Sequence, residues 1–175
     1  MDLRARGASL WLMPAGAVHD RLAGLIRRLA ERFSMPPFPP HVTLLPGIDD
    51  PREEETLATC RTLAAAIRPF TVRLAGVEGR AEPFRCLFAR AEASALLLAT
   101  HAAAARAFGR EPDAPFFPHL SLVYGAVPDE TKREIATDIA PLVAPSFPVA
   151  RLHLWRTDGP VGDWRELGAL DLTGA

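Results

Sequence analysis

The sequence predicts an α+β fold of two pseudo-symmetric lobes, each a mainly antiparallel β-sheet with outer helices, enclosing one cleft. Three observations predict it. A seven-residue stretch occurs twice, as Phe38-Pro39-Pro40-His41-Val42-Thr43-Leu44 and as Phe116-Phe117-Pro118-His119-Leu120-Ser121-Leu122. Each copy is followed about ten residues later by a proline-marked helix start, Asp50-Pro51 and Pro128-Asp129, the ordering an internal repeat leaves behind. Strand-like and helix-like periods are interspersed, with hairpin-like pairs rather than strict βαβ alternation. At 175 residues the chain is expected to be a single domain, residues 1–175, with intertwined lobes. The two copies of the stretch are expected as central strands that face each other across the cleft.

Taken in order, Ala8 to Met13 reads as a first strand, stopped by Pro14. Leu22, Leu25, Ile26, Leu29 and Phe33 fall at helical spacing, so a helix is expected from about Val18 to Phe33, with Arg21, Arg27, Arg28 and Arg32 on its solvated face. Ser34 to Pro40 holds four prolines and delivers a stiff, extended chain to His41. Asp50, Pro51 and Glu53 stand at N-cap, N1 and N3 of the next helix. Its inner face is Leu57, Cys60, Leu63, Ala64 and Ile67. Phe70 to Val77 and Arg85 to Arg90 read as strands joined across Gly76 to Pro83. A helix from Ala93 to Phe108 turns Leu97, His101, Ala104 and Phe108 to one side. Gly109 to Pro115 links to a strand over Pro118 to Tyr124. The helix opened by Pro128-Asp129 turns Ile135, Ile139 and Leu142 inward. Val149 to Trp155 and Trp164 to Leu172 close the chain as strands, with turn signals at Asp158-Gly159-Pro160 and Gly162-Asp163.

The repeated stretch carries the chemistry. Alternate residues of a strand face the same way, so His41 and Thr43 share one face, and His119 and Ser121 another, about 7 Å apart in each case. Val42, Leu44, Leu120 and Leu122 anchor the opposite faces. Brought together, the polar faces offer two imidazoles and two hydroxyls. Imidazole titrates near pH 6.5, so one ring can be neutral and the other protonated near neutral pH. In-line hydrolysis of a phosphodiester needs that pair: a base for the water and an acid for the leaving oxygen. The hydroxyls suit the non-bridging phosphate oxygens. A lone His-x-Thr is a weak signal; two copies sharing aromatic, proline and leucine flanks are not. His19, His101 and His153 lack the pattern. His101 reads as a packing or surface residue.

Composition sets further bounds. Net charge is −1, with 49% hydrophobic and 23% charged residues. A binder of long nucleic-acid tracts is usually basic, so a small phosphorylated partner is favoured. Lys132 is the only lysine, so positive charge is nearly all arginine, the better bidentate phosphate ligand. Cys60 and Cys86 make neither a metal spacing nor a disulfide framework; reduced thiols in a cytoplasmic protein are expected. The first residues lack a signal-peptide pattern, and the apolar run from Leu96 to Ala105 is too short for a bilayer. No His-Glu-x-x-His and no Gly-Lys-[Ser/Thr] occurs, which argues against a zinc hydrolase or a phosphate-cradling P-loop.

The paired motifs His41-Val42-Thr43-Leu44 and His119-Leu120-Ser121-Leu122 resemble those of the two-histidine (2H) phosphoesterase superfamily. Within it the chain looks most like the cyclic phosphodiesterases of the plant and yeast type, through Ser9-Leu10-Trp11, Phe84-Arg85-Cys86-Leu87-Phe88, the segment Pro118 to Tyr124, Thr157-Asp158 and Trp164. The resemblance implies metal-free opening of nucleoside 2′,3′-cyclic phosphates and ADP-ribose 1″,2″-cyclic phosphate; no cofactor and a monomer are expected. It implies His41 and His119 as the acid/base pair, Thr43 and Ser121 as phosphate ligands, and Trp11 and Tyr124 as substrate-lining residues. His119 would activate water and His41 protonate the leaving oxygen. Tyr124 has the wrong strand parity relative to His119, so it reaches the cleft only if the strand bends at its end. The RNA 2′,3′-cyclic phosphodiesterases, also called 2′-5′ RNA ligases, are the next nearest branch and would make RNA ends the partner. A non-catalytic nucleotide-binding module is the alternative of another class, opposed by the intact histidines and hydroxyls.

Overall fold

The structure is a computed structural model and describes residues 3–49 and 52–174. Its elements in chain order are β1 (Arg4–Ala5), β2 (Ala8–Leu12), α1 (Gly16–Phe33), β3 (Val42–Ile48), α2 (Glu53–Ala65), β4 (Phe70–Gly79), β5 (Leu87–Ala91), α3 (Ala95–Ala107), β6 (His119–Val123), α4 (Asp129–Ile139), β7 (Ser146–Val149), β8 (Arg151–Arg156), β9 (Gly159–Pro160) and β10 (Arg165–Asp171). The expected Asp50-Pro51 helix start lies outside the described residues.

The fold is α+β, with antiparallel strands and outer helices, as the sequence predicts. Eight strands join into one sheet, in the order β10-β8-β2-β3-β6-β5-β4-β7. Its centre is the pair of motif strands, β3 and β6, bonded at Val42 and Leu120. These two strands are expected to face each other across the cleft; instead they pair edge to edge, and each lobe is one half of a single curled surface. The physical reason is that each motif strand has an edge whose N–H and C=O groups need partners, and the other motif strand supplies them. Residues 70–149 supply the half β6-β5-β4-β7, inserted between α2 and β8 of the other half.

One face of the sheet is apolar. Leu10, Leu12, Val42, Leu44, Leu120, Leu122, Leu152 and Leu154 are wholly buried there and share a core with Leu22, Leu25 and Ile26 of α1 and Leu97 of α3. The helices cross over: α1 packs against β6 and α3 against β3, while α2 lies on β8 and β10 and α4 on β4. Each half is thus held by a helix of the other.

Local chemistry explains the ends. α1 stops at Ser34, whose φ of 52° is left-handed. The Ser34 N–H donates to Glu31 O and the Met35 N–H to Ala30 O at 2.9 Å, which satisfies carbonyls the helix would leave unpaired. Ser94 caps α3 by accepting the Leu97 N–H. β4 runs past Gly76 to Gly79, beyond the predicted Val77, because Gly76 at φ +71° absorbs an irregularity in pairing between Ala75 and Val77. The segment predicted as one strand over Val149 to Trp155 is two, broken at Ala150. Leu142, expected inward, is exposed, because α4 ends at Ile139 and Pro141 turns the chain. Cys60 and Cys86 are both buried. Among the described residues no helix is long and apolar enough to cross a membrane.

Candidate active site

The register at the sheet centre fixes which side chains meet. Val42 opposes Leu120, and both point into the apolar core. Extending that antiparallel pairing by one residue sets His41 opposite Ser121 and Thr43 opposite His119. All four emerge on the other, concave face. There they line a single cavity of about 360 Å³, together with Trp11 and Tyr124. All six residues singled out in the sequence border this one cavity.

Both histidines are held alike. The Nδ1 of His41 lies 2.7 Å from Pro39 O and that of His119 3.0 Å from Phe117 O. A carbonyl only accepts, so Nδ1 carries the proton in each ring. Nε2 is then the ring nitrogen that carries no proton. The preceding Pro40 and Pro118 fix the approach that brings each ring back to the carbonyl two residues earlier.

The supports differ. Trp11 opposes Thr43 on β2 and stacks flat on His41, centroids 3.6 Å apart and planes 8° apart. Trp155 stacks on Trp11 at 4.5 Å. Trp11 is 1% exposed, so its main contact is His41 rather than open cavity. The equivalent position beside His119 is Phe88, which opposes Ser121 on β5. Phe88 meets the His119 ring edge-on at 5.3 Å.

The hydroxyls differ too. Thr43 is half-buried at the cavity wall. The Ser121 Oγ–H donates to Phe84 O at 3.0 Å, and Ser121 lies close enough to the Tyr124 phenol to act on its pKa. The Ser121 hydroxyl is thus engaged with the backbone, whereas no such bond holds the Thr43 hydroxyl among the described residues. Tyr124 escapes its strand parity because β6 ends at Val123. Gly125 follows at φ +122°, and its N–H donates to Pro83 O. Tyr124 stacks on Phe38 at 3.7 Å, and burial pushes its phenol pKa upward.

Burial also sets the histidine charges. Removed from water, His41 is pushed down to about 3, only partly offset by the bond to Pro39, and His119 opposes a proton on it further. His119 is lowered first by burial and then by the Arg85 and Arg80 guanidiniums. Near pH 7 both rings of the unliganded protein are therefore neutral, not one charged and one neutral. The sequence shows the residue types but not the degree of desolvation. A bound anion works against this, since an opposite charge a few ångströms away favours imidazolium.

Other residues at the site were less visible. Phe84, Arg85, Phe117 and Trp164 line the cavity. Ser9 and Thr157 share a buried hydroxyl–hydroxyl bond of 3.0 Å at its edge. Phe84, Arg85, Ser9, Thr157 and Trp164 fall in the segments that carried the family resemblance; position on the cavity is what they add. Of the remaining histidines, His101 is a structural pin. Its Nδ1–H donates to Leu44 O at 2.8 Å, its Nε2 accepts the Asp113 N–H, and it stacks on Phe116. His153 pairs with Glu166 across β8 and β10. Among the described residues no group of three or more His, Cys, Asp or Glu converges as a metal site.

A continuous sheet with two pseudo-equivalent histidines on its concave face defines the class, and comparison with known proteins agrees. The chain superposes on TT0787 of Thermus thermophilus with a TM-score of 0.65 at 24% identity, covering 96% of this chain and 98% of that one. It superposes on Escherichia coli LigT complexed with 3′-AMP with a TM-score of 0.59 at 15% identity, covering 97% and 99%. LigT has also been solved with ATP and with NADP+. A cyclic phosphodiesterase of Arabidopsis thaliana is 25% identical over 154 residues, 86% of this chain and 84% of that one. The 2′-5′ RNA ligase superfamily model matches residues 14–160. The chain belongs to that superfamily, the 2H phosphoesterases.

Proposed function

We propose that this chain is a metal-independent hydrolase of cyclic phosphodiesters. It opens nucleoside 2′,3′-cyclic phosphates to 2′-phosphates, ADP-ribose 1″,2″-cyclic phosphate, or both. The observation that carries the reading is the matched pair of imidazoles, each with Nδ1–H bonded to a carbonyl and both bordering one cavity. The similarity to a cyclic phosphodiesterase supports it.

In this reading the cyclic phosphate sits between the two Nε2 atoms. One imidazole takes a proton from water as its oxygen forms a bond to phosphorus. The other gives a proton to the ribose oxygen as the opposite P–O bond breaks. Thr43 and Ser121, the latter with Tyr124, bind the non-bridging oxygens. We assign the base to His119 and the acid to His41, because the charges opposing protonation differ in kind. The arginines beside His119 are fixed cations. His41 is opposed mainly by desolvation, which an entering anion offsets, and the Trp11 face favours a cation.

Product analysis tests the activity, with adenosine 2′,3′-cyclic phosphate, ADP-ribose 1″,2″-cyclic phosphate and a cyclic-phosphate-ended oligonucleotide as substrates. Absence of hydrolysis of all three refutes it. Leaving-group dependence tests the roles. A p-nitrophenyl phosphodiester needs no acid, so it should restore His41→Ala but not His119→Ala; the reverse pattern exchanges the assignments.

RNA ends are the second reading, favoured by the family match. Affinity for the oligonucleotide that falls steeply with salt, beyond that for the mononucleotide, would support it.

A further inference from the structure

We propose that Arg80 and Arg85 form a second anion subsite beside His119, so that the preferred substrate carries another phosphate besides the cyclic one. The proposal rests on the phosphoesterase reading and names the substrate class that site prefers.

Both arginines come from the turn between β4 and β5, and this turn is held in place. The Arg80 N–H donates to Arg85 O at 3.0 Å. Arg80 O accepts from the Lys132 ammonium at 2.8 Å, and Lys132 is itself buried. Pro83 O accepts the Gly125 N–H, and Phe84 O the Ser121 hydroxyl. The guanidiniums thus project from a fixed backbone, which lowers the ordering cost of binding.

Their placement is specific. Arg80 lies 4.2 Å over the Phe117 ring and Arg85 5.5 Å over the same ring. Phe117 and Arg85 line the cavity, and the Phe117 ring is 5.7 Å from that of His119. Two cations on one ring repel each other, and the carboxylate paired with Arg85 is Glu82, at 4.0 Å and half-exposed, where an ion pair contributes little. A phosphate would relieve this repulsion and suits the planar guanidinium. The corner is not the reacting position. Both arginines act on His119, whereas the charge acting on His41 is His119 itself. They flank His119 and not His41, to one side of the pair of rings.

The test uses adenosine 2′,3′-cyclic phosphate with and without a 5′-phosphate. The expected ratio of kcat/KM favours the 5′-phosphorylated substrate by roughly ten- to a hundred-fold, as for one or two charge-assisted hydrogen bonds. Arg85→Gln with Arg80→Gln should bring the ratio towards one, and Arg85→Lys should retain part of it. A wild-type ratio near one, or a ratio unchanged in the double variant, overturns the subsite. Calorimetry with adenosine 2′-monophosphate and adenosine 2′,5′-bisphosphate separates this from failure of the proposed activity. If the wild type hydrolyses neither substrate, tighter binding of the bisphosphate still sustains the subsite, and equal binding overturns it.

Discussion

The buried imidazole of His41 makes a quantitative prediction about acid stability. Its pKa stands at about 3 in the folded protein against 6.5 for an exposed ring. The unfolded chain therefore binds a proton between pH 6.5 and 3 that the folded chain does not. Stability is fully present above pH 6.5 and is lost as pH falls through that window. At 1.36 kcal/mol per unit, the loss is about 2 kcal/mol at pH 5 and about 5 kcal/mol near pH 3. The face of Trp11, stacked at 3.6 Å, works the other way. A desolvated cation–π contact is worth about 2 kcal/mol, so burial prevails. His41→Asn retains a donor for Pro39 O and removes the titration. Urea unfolding of both proteins at pH 7.5, 6.5, 5.5 and 5.0 reads mainly His41, because every other titrating group is present in both and His119 keeps its own burial and arginine neighbours. The wild type should lose about 2 kcal/mol more than the variant between pH 7.5 and 5.0. Saturating inorganic phosphate should narrow the difference by favouring the charged ring in the folded state. Parallel curves without phosphate would refute the desolvation account.

Loss of either imidazole, by His41→Ala or His119→Ala, should lower turnover of a cyclic phosphate by about 10²–10⁴, as for loss of a general acid or base. EDTA should leave wild-type turnover unchanged; loss with rescue by zinc would defeat the metal-free scheme. Lys132→Met strands the Arg80 carbonyl and should cost about 1–3 kcal/mol in urea unfolding, with a fall in kcat/KM as the β4–β5 turn loosens. His101→Phe unpairs Leu44 O and the Asp113 N–H, so limited proteolysis within residues 109–117 should accelerate well before global unfolding.

Much of the site was legible because strand parity is a short-range property. His41 with Thr43, and His119 with Ser121, are placed on shared faces by the pleat alone. Which strand pairs with which is not short-range. Each motif strand carries the same apolar anchors, Val42 with Leu44 and Leu120 with Leu122, and nothing in either says that they bond to each other. That pairing turned the expected facing strands into one surface. The contact of Phe88 with His119 was hidden for a related reason: within Cys86-Leu87-Phe88-Ala89 it is one apolar residue among several, and only its place opposite Ser121 brings it to His119. The Tyr124 parity conflict was legible and its resolution was not, because the end of β6 depends on the Gly125 bond to Pro83 in a distant turn.

The pseudo-symmetry poses a chemical problem that its departures resolve. Two identical rings related by a two-fold axis would take up a proton equally readily, yet the proposed acid–base hydrolysis needs one to give a proton while the other receives one. The backbone does not supply the difference, since both Nδ1–H groups bond a carbonyl two residues upstream. The flanking strands do. Beside His41, β2 places Trp11, whose π face tolerates a cation once an anion offsets the desolvation. Beside His119, β5 places Phe88 edge-on, and the turn leading into it brings two permanent cations that disfavour another. The repeat thus builds the pair of rings, and the residues that break the repeat give each ring its own proton affinity.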